Sequence, residues 1–316
     1  MRSNSFVHLH NHSQFSLLDG AQRIEEMVDQ AVAFGMPAVA ITDHGNLFGA
    51  IRFVEKCKEK GIKPILGCEI YVAPRSRTER NPPREGEKPY HHLILLVSDS
   101  AGYQNLLKLS TQAYLDGFYY KPRVDKELLA AHAKGLIATS ACLGGEVAAK
   151  LLKNDPEGAE QAPATYRDIF GEENFFLEVQ DQGIPEEVQV NRGLESIAKR
   201  LQLPRVGTND CHFLRQDDHF SHQVLVCIQT GKTVNDPERL KYTQEHYFKS
   251  PEAMRTVFRD LPEAVENTLG IAERCDFDLG LSENHLPRFA VPEGESLDGY
   301  FAKVASEGFA RRSVQW

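Results

Sequence analysis

Seven short apolar runs, separated by amphipathic stretches, constrain this chain more than any other feature of its sequence. They fall at residues 6–10, 38–42, 65–72, 92–97, 136–139, 175–179 and 205–208. Between the first two, Ile24, Met27, Val28, Ala31 and Val32 recur at helical spacing and stop at Gly35 and Pro37. Leu47, Ala50, Ile51, Val54 and Cys57 share one helical face that ends at Gly61, and Tyr103, Leu106, Leu107 and Tyr114 share another. Strands joined through helices lie parallel, because a parallel pair needs a long crossover. The expected fold class is therefore α/β, and about seven repeats suggest a closed parallel (β/α)7-type barrel resembling a TIM barrel. An open doubly wound sheet has the same periodicity.

Residues 75–88 interrupt the alternation with Pro, Arg and Glu and read as an exposed loop. Beyond Cys211 the strands stop, and helical patterns cover 217–230, 251–258 and 263–275. A Pro-rich connector at 286–295 leads into an amphipathic helix over 296–312, with Leu297, Tyr300, Phe301 and Val304 on one face. The expected division is a domain at 1–280 and, at 281–316, a connector with the start of a further region. The end at Trp316, just as that element begins, reads as truncation.

Composition excludes several function classes. With 41% hydrophobic and 26% charged residues the chain can bury a core. Its net charge of −9 argues against gripping nucleic acid by phosphate neutralisation alone, although bound cations would offset some carboxylates. No apolar run is long enough to span a membrane, and MRSNSFVHLHNHS lacks the apolar core of a signal peptide. Six cysteines without paired spacing, and no export signal, make the reducing cytoplasm the expected compartment.

The chemistry-bearing residues collect where the apolar runs end. His8 and His10 are two apart, so in an extended segment they share a face and form a ready pair of metal ligands. Asp43 and His44 follow the second run, Glu69 lies in the third, and Cys142 follows the fifth. Asp210 and His212 follow the last and repeat the two-apart spacing. In parallel barrels, chemistry gathers at the C-terminal strand ends. His92 is the exception, because it opens its run, and His91 is equally available. Cys142 also suits a small buried hydrophobe, Asp19 a helix cap, and Asp43 a carboxylate that orients an imidazole.

The segments HLHNHSQFSLLDGA, AITDHGNLFGA, KPILGCEIYV, HHLILLV, GLIATSACLGGE and GTNDCHF resemble the PHP (polymerase and histidinol phosphatase) domain of bacterial DNA polymerase III alpha subunits. The likeness runs along almost the whole chain and includes GFYYKPRVD, and LPRFAVPEGE resembles the start of the polymerase palm region. It implies nine metal-ligand positions at His8, His10, Asp19, His44, Glu69, His92, Cys142, Asp210 and His212. His8, His10, Glu69 and Asp210 would share one ion. Glu69 would bridge to a second, held by His92 and Cys142, and Asp19, His44 and His212 would hold a third. Two to three divalent metals are expected, and zinc suits the nitrogen and sulfur donors while Mn or Fe suits the carboxylates.

Catalysis would fall to Asp210, His10 and Glu69, in phosphoester cleavage resembling 3′–5′ proofreading exonuclease action. The implied parent is a DNA-directed DNA polymerase of DNA replication, with the DNA primer 3′ end and other replicase subunits as partners. The rival expectations are a standalone phosphatase of small phosphorylated metabolites and a metal-stabilised structural domain. His12 reads as a contact to substrate phosphate or to backbone. Lys121 and Arg123 read as holders of phosphate or single-stranded DNA, or equally as parts of a solvated loop.

Overall fold

The computed structural model describes residues 5–81, 83, 87–280, 286–287 and 289–314. The strands are β1 (Ala38–Ile41), β2 (Lys63–Val72), β3 (His91–Val97), β4 (Arg123–Val124), β5 (Leu136–Thr139), β6 (Phe175–Val179) and β7 (Arg205–Gly207). The helices are α1 (Ile24–Ala33), α2 (Ala50–Lys60), α3 (Ser100–Leu115), α4 (Lys126–Ala131), α5 (Glu146–Leu152) and α6 (Pro156–Phe170), then α7 (Pro185–Leu201), α8 (His219–Thr230), α9 (Pro251–Val257), α10 (Pro262–Arg274) and α11 (Leu297–Ser313). Local chemistry sets several of their limits. Asp99, Asp125 and Ser250 accept N-terminal backbone N–H groups of α3, α4 and α9, and Gly61 and Gly231 end α2 and α8 in left-handed backbone.

The strands form one curled sheet in the order β1-β2-β3-β5-β6-β7, with β4 beside β2. The N-terminal segment completes the ring. On one side Ala40 N donates to His8 O and Thr42 N to Asn11 O; on the other, His12 N donates to Cys211 O and Cys211 N to His10 O. Residues 8–12 thus bridge β1 and the segment after β7, and the α/β barrel expected from the alternation is what forms, in a distorted shape. Its core joins Val7, Leu9, Ala38, Ala40, Ile65, Ile94, Leu96, Ile137 and Val206 with Ile271, Ala272 and Cys275 of the α10 region.

The sheet is mixed rather than all-parallel. β3 runs antiparallel to both β2 and β5, while β1–β2, β5–β6 and β6–β7 are parallel. The cause lies in the loop between β2 and β3. Among its described residues none is helical, so no helical crossover carries the chain back, and the next strand returns in the opposite direction. β4 is a departure too, because KPRVD contributes a short strand parallel to β2 where a loop reads from the sequence.

The chain separates into one compact unit through Asp278 and a second from Leu279. In the second, α11 is capped by Ser296, and Phe289 stacks against Tyr300 at 6.0 Å. Of the expected region 281–316, residues 281–285, 288 and 315–316 lie outside the described residues.

Candidate metal centre

At one mouth of the barrel, imidazoles and carboxylates converge from six parts of the chain. Glu69 of β2 is central and fully buried. Its Oε2 lies 2.6 Å from His44 Nδ1, 3.2 Å from His12 Nε2 and 3.7 Å from His10 Nε2, and its Oε1 contacts His92 Nδ1. Asp210 Oδ1 lies 3.1 Å from both His10 Nε2 and His12 Nε2, and 3.5 Å from His212 Nδ1. Asp19 Oδ1 lies 3.3 Å from His44 Nε2, and its Oδ2 is 4.0 Å from His212 Nε2. The His12 ring stacks between those of His44 and His212, at 4.0 and 4.3 Å.

The strand directions explain why His92 belongs here. It stands near the start of its run, which in a parallel barrel would place it at the opposite mouth. Because β3 is antiparallel, its beginning lies beside the C-terminal ends of its neighbours. Gly144 makes room for the ring, since a Cβ there would sit 2.8 Å from His92 Nδ1. Cys142 is adjacent, with Sγ 3.9 Å from His92 Nδ1. Ala141 and Asp210 both adopt left-handed backbone, at φ 59° and 45°, which turns the chain sharply at two strand ends. Such conformations are uncommon outside glycine and gather at functional sites.

The histidine pair differs from the one expected. His10 and His12 face the cluster, and His8 does not. All three alternate onto one face of the segment, so spacing alone does not choose between them. Packing chooses. The His8 ring lies 4.3 Å from that of Phe248, its Nε2 bonds to Lys249 O at 2.8 Å, and its Nδ1 meets Cys211 Sγ at 3.5 Å. His12, expected to touch phosphate or backbone, stands beside His10 at Glu69 and Asp210.

Arg123 is held by backbone carbonyls. Its guanidinium is buried and donates to the carbonyl oxygens of Gly117, Pro89, Arg77 and Glu79. It staples the loop after β2 to β4. Lys121 remains at the rim, with Nζ 5.4 Å from the centre of the Tyr71 ring, which in turn lies 5.4 Å from the His92 ring.

The electrostatics favour a cation. Burial opposes charge on Glu69 and Asp210, yet His92 and His44 hold Glu69, and His10 and His212 hold Asp210, well below the usual carboxylate range. Asp19 is depressed in the same way by His44, His212 and His12, against the opposing effect of burial. Burial also opposes charge on His10 and His44, but the surrounding carboxylates outweigh it and hold both imidazoles well above their ordinary value. Burial, with the charges of Asp210 and Glu69, pushes the Cys142 thiol up.

The donor set fits divalent metals. Asp19 Oδ1, His44 Nδ1, both oxygens of Glu69, Asp210 Oδ1 and His212 Nε2 are buried and make no hydrogen bond. Leaving such groups unsatisfied costs roughly 1–3 kcal/mol each, and a metal ion would satisfy them together. His10, His12 and Glu69 form one trio of suitable atoms; His12, His44 and His212 form a second, and His44, Glu69 and His92 a third.

Supporting residues lie one contact behind. Asp43 accepts from Ser13 N, Ser13 Oγ and Ser16 Oγ, and Ser16 Oγ bonds to His12 Nδ1 at 2.9 Å. The role of Asp43 in orienting an imidazole thus runs through a serine. Tyr242 donates to Asp19 Oδ2 at 2.7 Å, and Glu178 contacts His10 Nδ1 at 2.7 Å. Neither follows from motif spacing, although a glutamate inside the apolar run FFLEV was an available signal.

A curled α/β barrel with carboxylates and imidazoles crowded at one mouth is an arrangement able to hold metal ions. The PHP domain family model matches residues 8–182, and the chain belongs to that family. It is 46% identical to DNA polymerase III subunit alpha of Treponema pallidum over 99% of this chain and 27% of that protein. It is 43% identical to the subunit of the same name from Thermus aquaticus over 97% of this chain and 26% of that protein. The chain therefore spans about a quarter of the length of these curated relatives. Among solved structures, a Bifidobacterium adolescentis protein described as a metal-dependent phosphoesterase aligns with a TM-score of 0.42 at 19% identity, covering 66% of this chain and 88% of that one. An amidohydrolase from Chromobacterium violaceum aligns with a TM-score of 0.42 at 16% identity, with the same coverage.

Proposed function

We propose that this chain is the PHP portion of a replicative DNA polymerase alpha subunit, and that its metal centre hydrolyses phosphoesters by removing nucleotides from a DNA 3′ end. The observation that carries the reading is the convergence of buried carboxylate and imidazole atoms without hydrogen-bond partners. Two or three divalent ions, zinc, manganese or iron, would be held by His10, His12, Asp19, His44, Glu69, His92, Asp210 and His212, with Cys142 beside His92. Ions held there would supply Lewis acidity toward phosphate oxygens and would acidify water.

The chain's own residues do the rest. Glu69 and Asp210 place negative charge between the imidazoles and orient them. The stacked rings of His12, His44 and His212 wall off one side of the centre. Lys121 at the rim is positioned to attract a phosphate of the DNA backbone. The parent protein would extend DNA from deoxynucleoside triphosphates with other replicase subunits, in the cytoplasm, and 281–316 would lead into its polymerase region. No described helix is long and apolar enough to cross a membrane.

The test strips the chain with chelator, restores zinc or manganese, and follows a 5′-labelled single-stranded oligonucleotide beside a small phosphomonoester. Shortening from the 3′ end supports the reading. Hydrolysis of the monoester alone favours a metabolite phosphatase, and metal uptake without hydrolysis of either favours a structural site.

A further inference from the structure

Glu178 stands in the middle of β6, a strand buried along its whole length, and is itself 2% exposed. Its Oε1 meets His10 Nδ1 at 2.7 Å, Thr208 Oγ1 at 2.5 Å and Gln180 Nε2 at 2.8 Å, and its Oε2 accepts from Thr139 Oγ1. The backbone N–H of Glu178 donates to Ser140 Oγ at 2.8 Å. Thr139 ends β5 and Thr208 follows β7, so the carboxylate is pinned across three adjacent strands. Its oxygens are committed to these partners, which leaves Glu178 facing the back of the His10 ring rather than the cluster.

The consequence for His10 is specific. A neutral imidazole carries one N–H and one lone pair, and the hydrogen bond at one nitrogen decides which is which. A carboxylate at Nδ1 requires the proton there. Nε2 is then left with its lone pair directed at Asp210 and Glu69, 3.1 and 3.7 Å away. His12 is held differently, through the neutral hydroxyl of Ser16.

We propose that Glu178 is a positioning residue: it fixes the His10 tautomer and ring orientation so that Nε2 is presented as a metal ligand, and it is not itself a ligand. The inference rests on the reading of His10 as a ligand. Carboxylates that buttress a ligating histidine also raise its basicity, and their loss weakens metal binding.

The test measures zinc affinity by competition with a chromogenic chelator, for Glu178→Gln made in the wild-type chain and in a His10→Ala chain. Glutamine keeps the volume but brings an amide donor and removes the charge. Zinc affinity is expected to fall about 10–100-fold in the wild-type background. In the His10→Ala background the same change should cost no more than about twofold, because a residue acting through His10 has nothing left to act on. Ring 15N spectra of the zinc-free protein, taken at a pH high enough to leave the His10 ring neutral, should show His10 protonated at Nδ1 in the wild type and redistributed between the two nitrogens in Glu178→Gln.

If Glu178→Gln does not fold by circular dichroism, Thr208→Val removes one donor from the same oxygen at similar volume and must show the same background dependence. Wild-type zinc affinity together with an unchanged His10 tautomer overturns the proposal, and so do equal losses in both backgrounds. A wild-type chain that takes up no zinc overturns the metal reading as well, which separates the two failures.

Discussion

His12 Nε2 lies 3.1 Å from Asp210 Oδ1, and this contact crosses the seam of the barrel. Two residues of the same segments, His12 and Cys211, also pair through the backbone there, with N to O at 2.9 Å. The imidazole–carboxylate cluster and the closure of the sheet are therefore assembled by the same two segments. Asp19, Glu69 and Asp210 are held together by imidazoles and, at Asp19, by the Tyr242 hydroxyl, and a bound cation would offset their like charges.

Removing metal should therefore loosen the whole first unit rather than a single loop. Free metal at a hundred times its dissociation constant stabilises a one-site protein by about 2.7 kcal/mol. For a domain of this size that corresponds to a melting temperature roughly 5–10 °C higher than in chelator. Calorimetric scans with zinc and with chelator check this, and coincident melting curves would contradict it.

How much of this was legible in the sequence follows from which signals are local. Apolar periodicity marks every strand except β4, and most helices, because burial imposes it directly. The reversal of β3 has its signal in the loop after β2, where no described residue is helical, and an all-parallel barrel would put His92 at the wrong mouth. The choice between His8 and His12 was beyond spacing, since all three histidines share one face and only the packing of Phe248 and Lys249 separates them. Arg123 looked like a phosphate contact because its carbonyl partners, Gly117 apart, come from the distant loop after β2.

That distinction gives a direct comparison. His12→Ala should lower bound metal and reduce phosphoester cleavage by about 10²–10³, the usual cost of losing one electrostatic contact at a reacting centre. His8→Ala should leave metal content near wild type and lower thermal stability, because it empties a buried site between Phe6 and Phe248. Elemental analysis of both variants decides it, and metal loss in His8→Ala alone would reverse the assignment.

The metal-free chain should be most stable near pH 6.5. Burial lowers His8, His91 and His246 to about 4 and His212 to about 3, so these rings stay neutral in the fold while their unfolded counterparts take up protons below about 6.5. Their contribution is present above that pH and lost as pH falls. The depressed carboxylates Asp19, Glu69 and Asp210 add a further loss below about 4. His10 and His44 act oppositely: with folded values raised, their contribution is complete below about 6.5 and declines as pH rises. Saturating metal should remove that alkaline decline, because binding replaces those protons. Urea titrations across pH 4–9, with and without zinc, measure both limbs.

Arg123 and Lys121 should separate stability from substrate binding. Arg123→Met removes the side-chain hydrogen bonds that tie the loop after β2 to β4 and should cost about 2 kcal/mol, with little specific effect on KM. Lys121→Met should leave unfolding unchanged and raise KM for oligonucleotide with a weaker salt dependence, since one phosphate contact is lost. Chemical denaturation and steady-state kinetics on both variants check the pair, and a stable Arg123→Met with impaired DNA binding would restore Arg123 as a substrate contact.

Asp210→Asn is the sharpest probe of the chemistry. Asp210 reaches His10, His12 and His212 from a left-handed backbone position at the end of the closing strand. Asparagine suits that conformation and keeps the volume, so the fold should survive. What disappears is the negative charge between three imidazoles, and with it part of the attraction for a cation. Metal affinity should fall, and cleavage of a single-stranded oligonucleotide with manganese or zinc added should drop by about 10²–10³. Circular dichroism is expected to match the wild type. If wild type and Asp210→Asn cleave equally well, the activity arises elsewhere, and the centre around Glu69 and Asp210 is not where phosphoesters are broken.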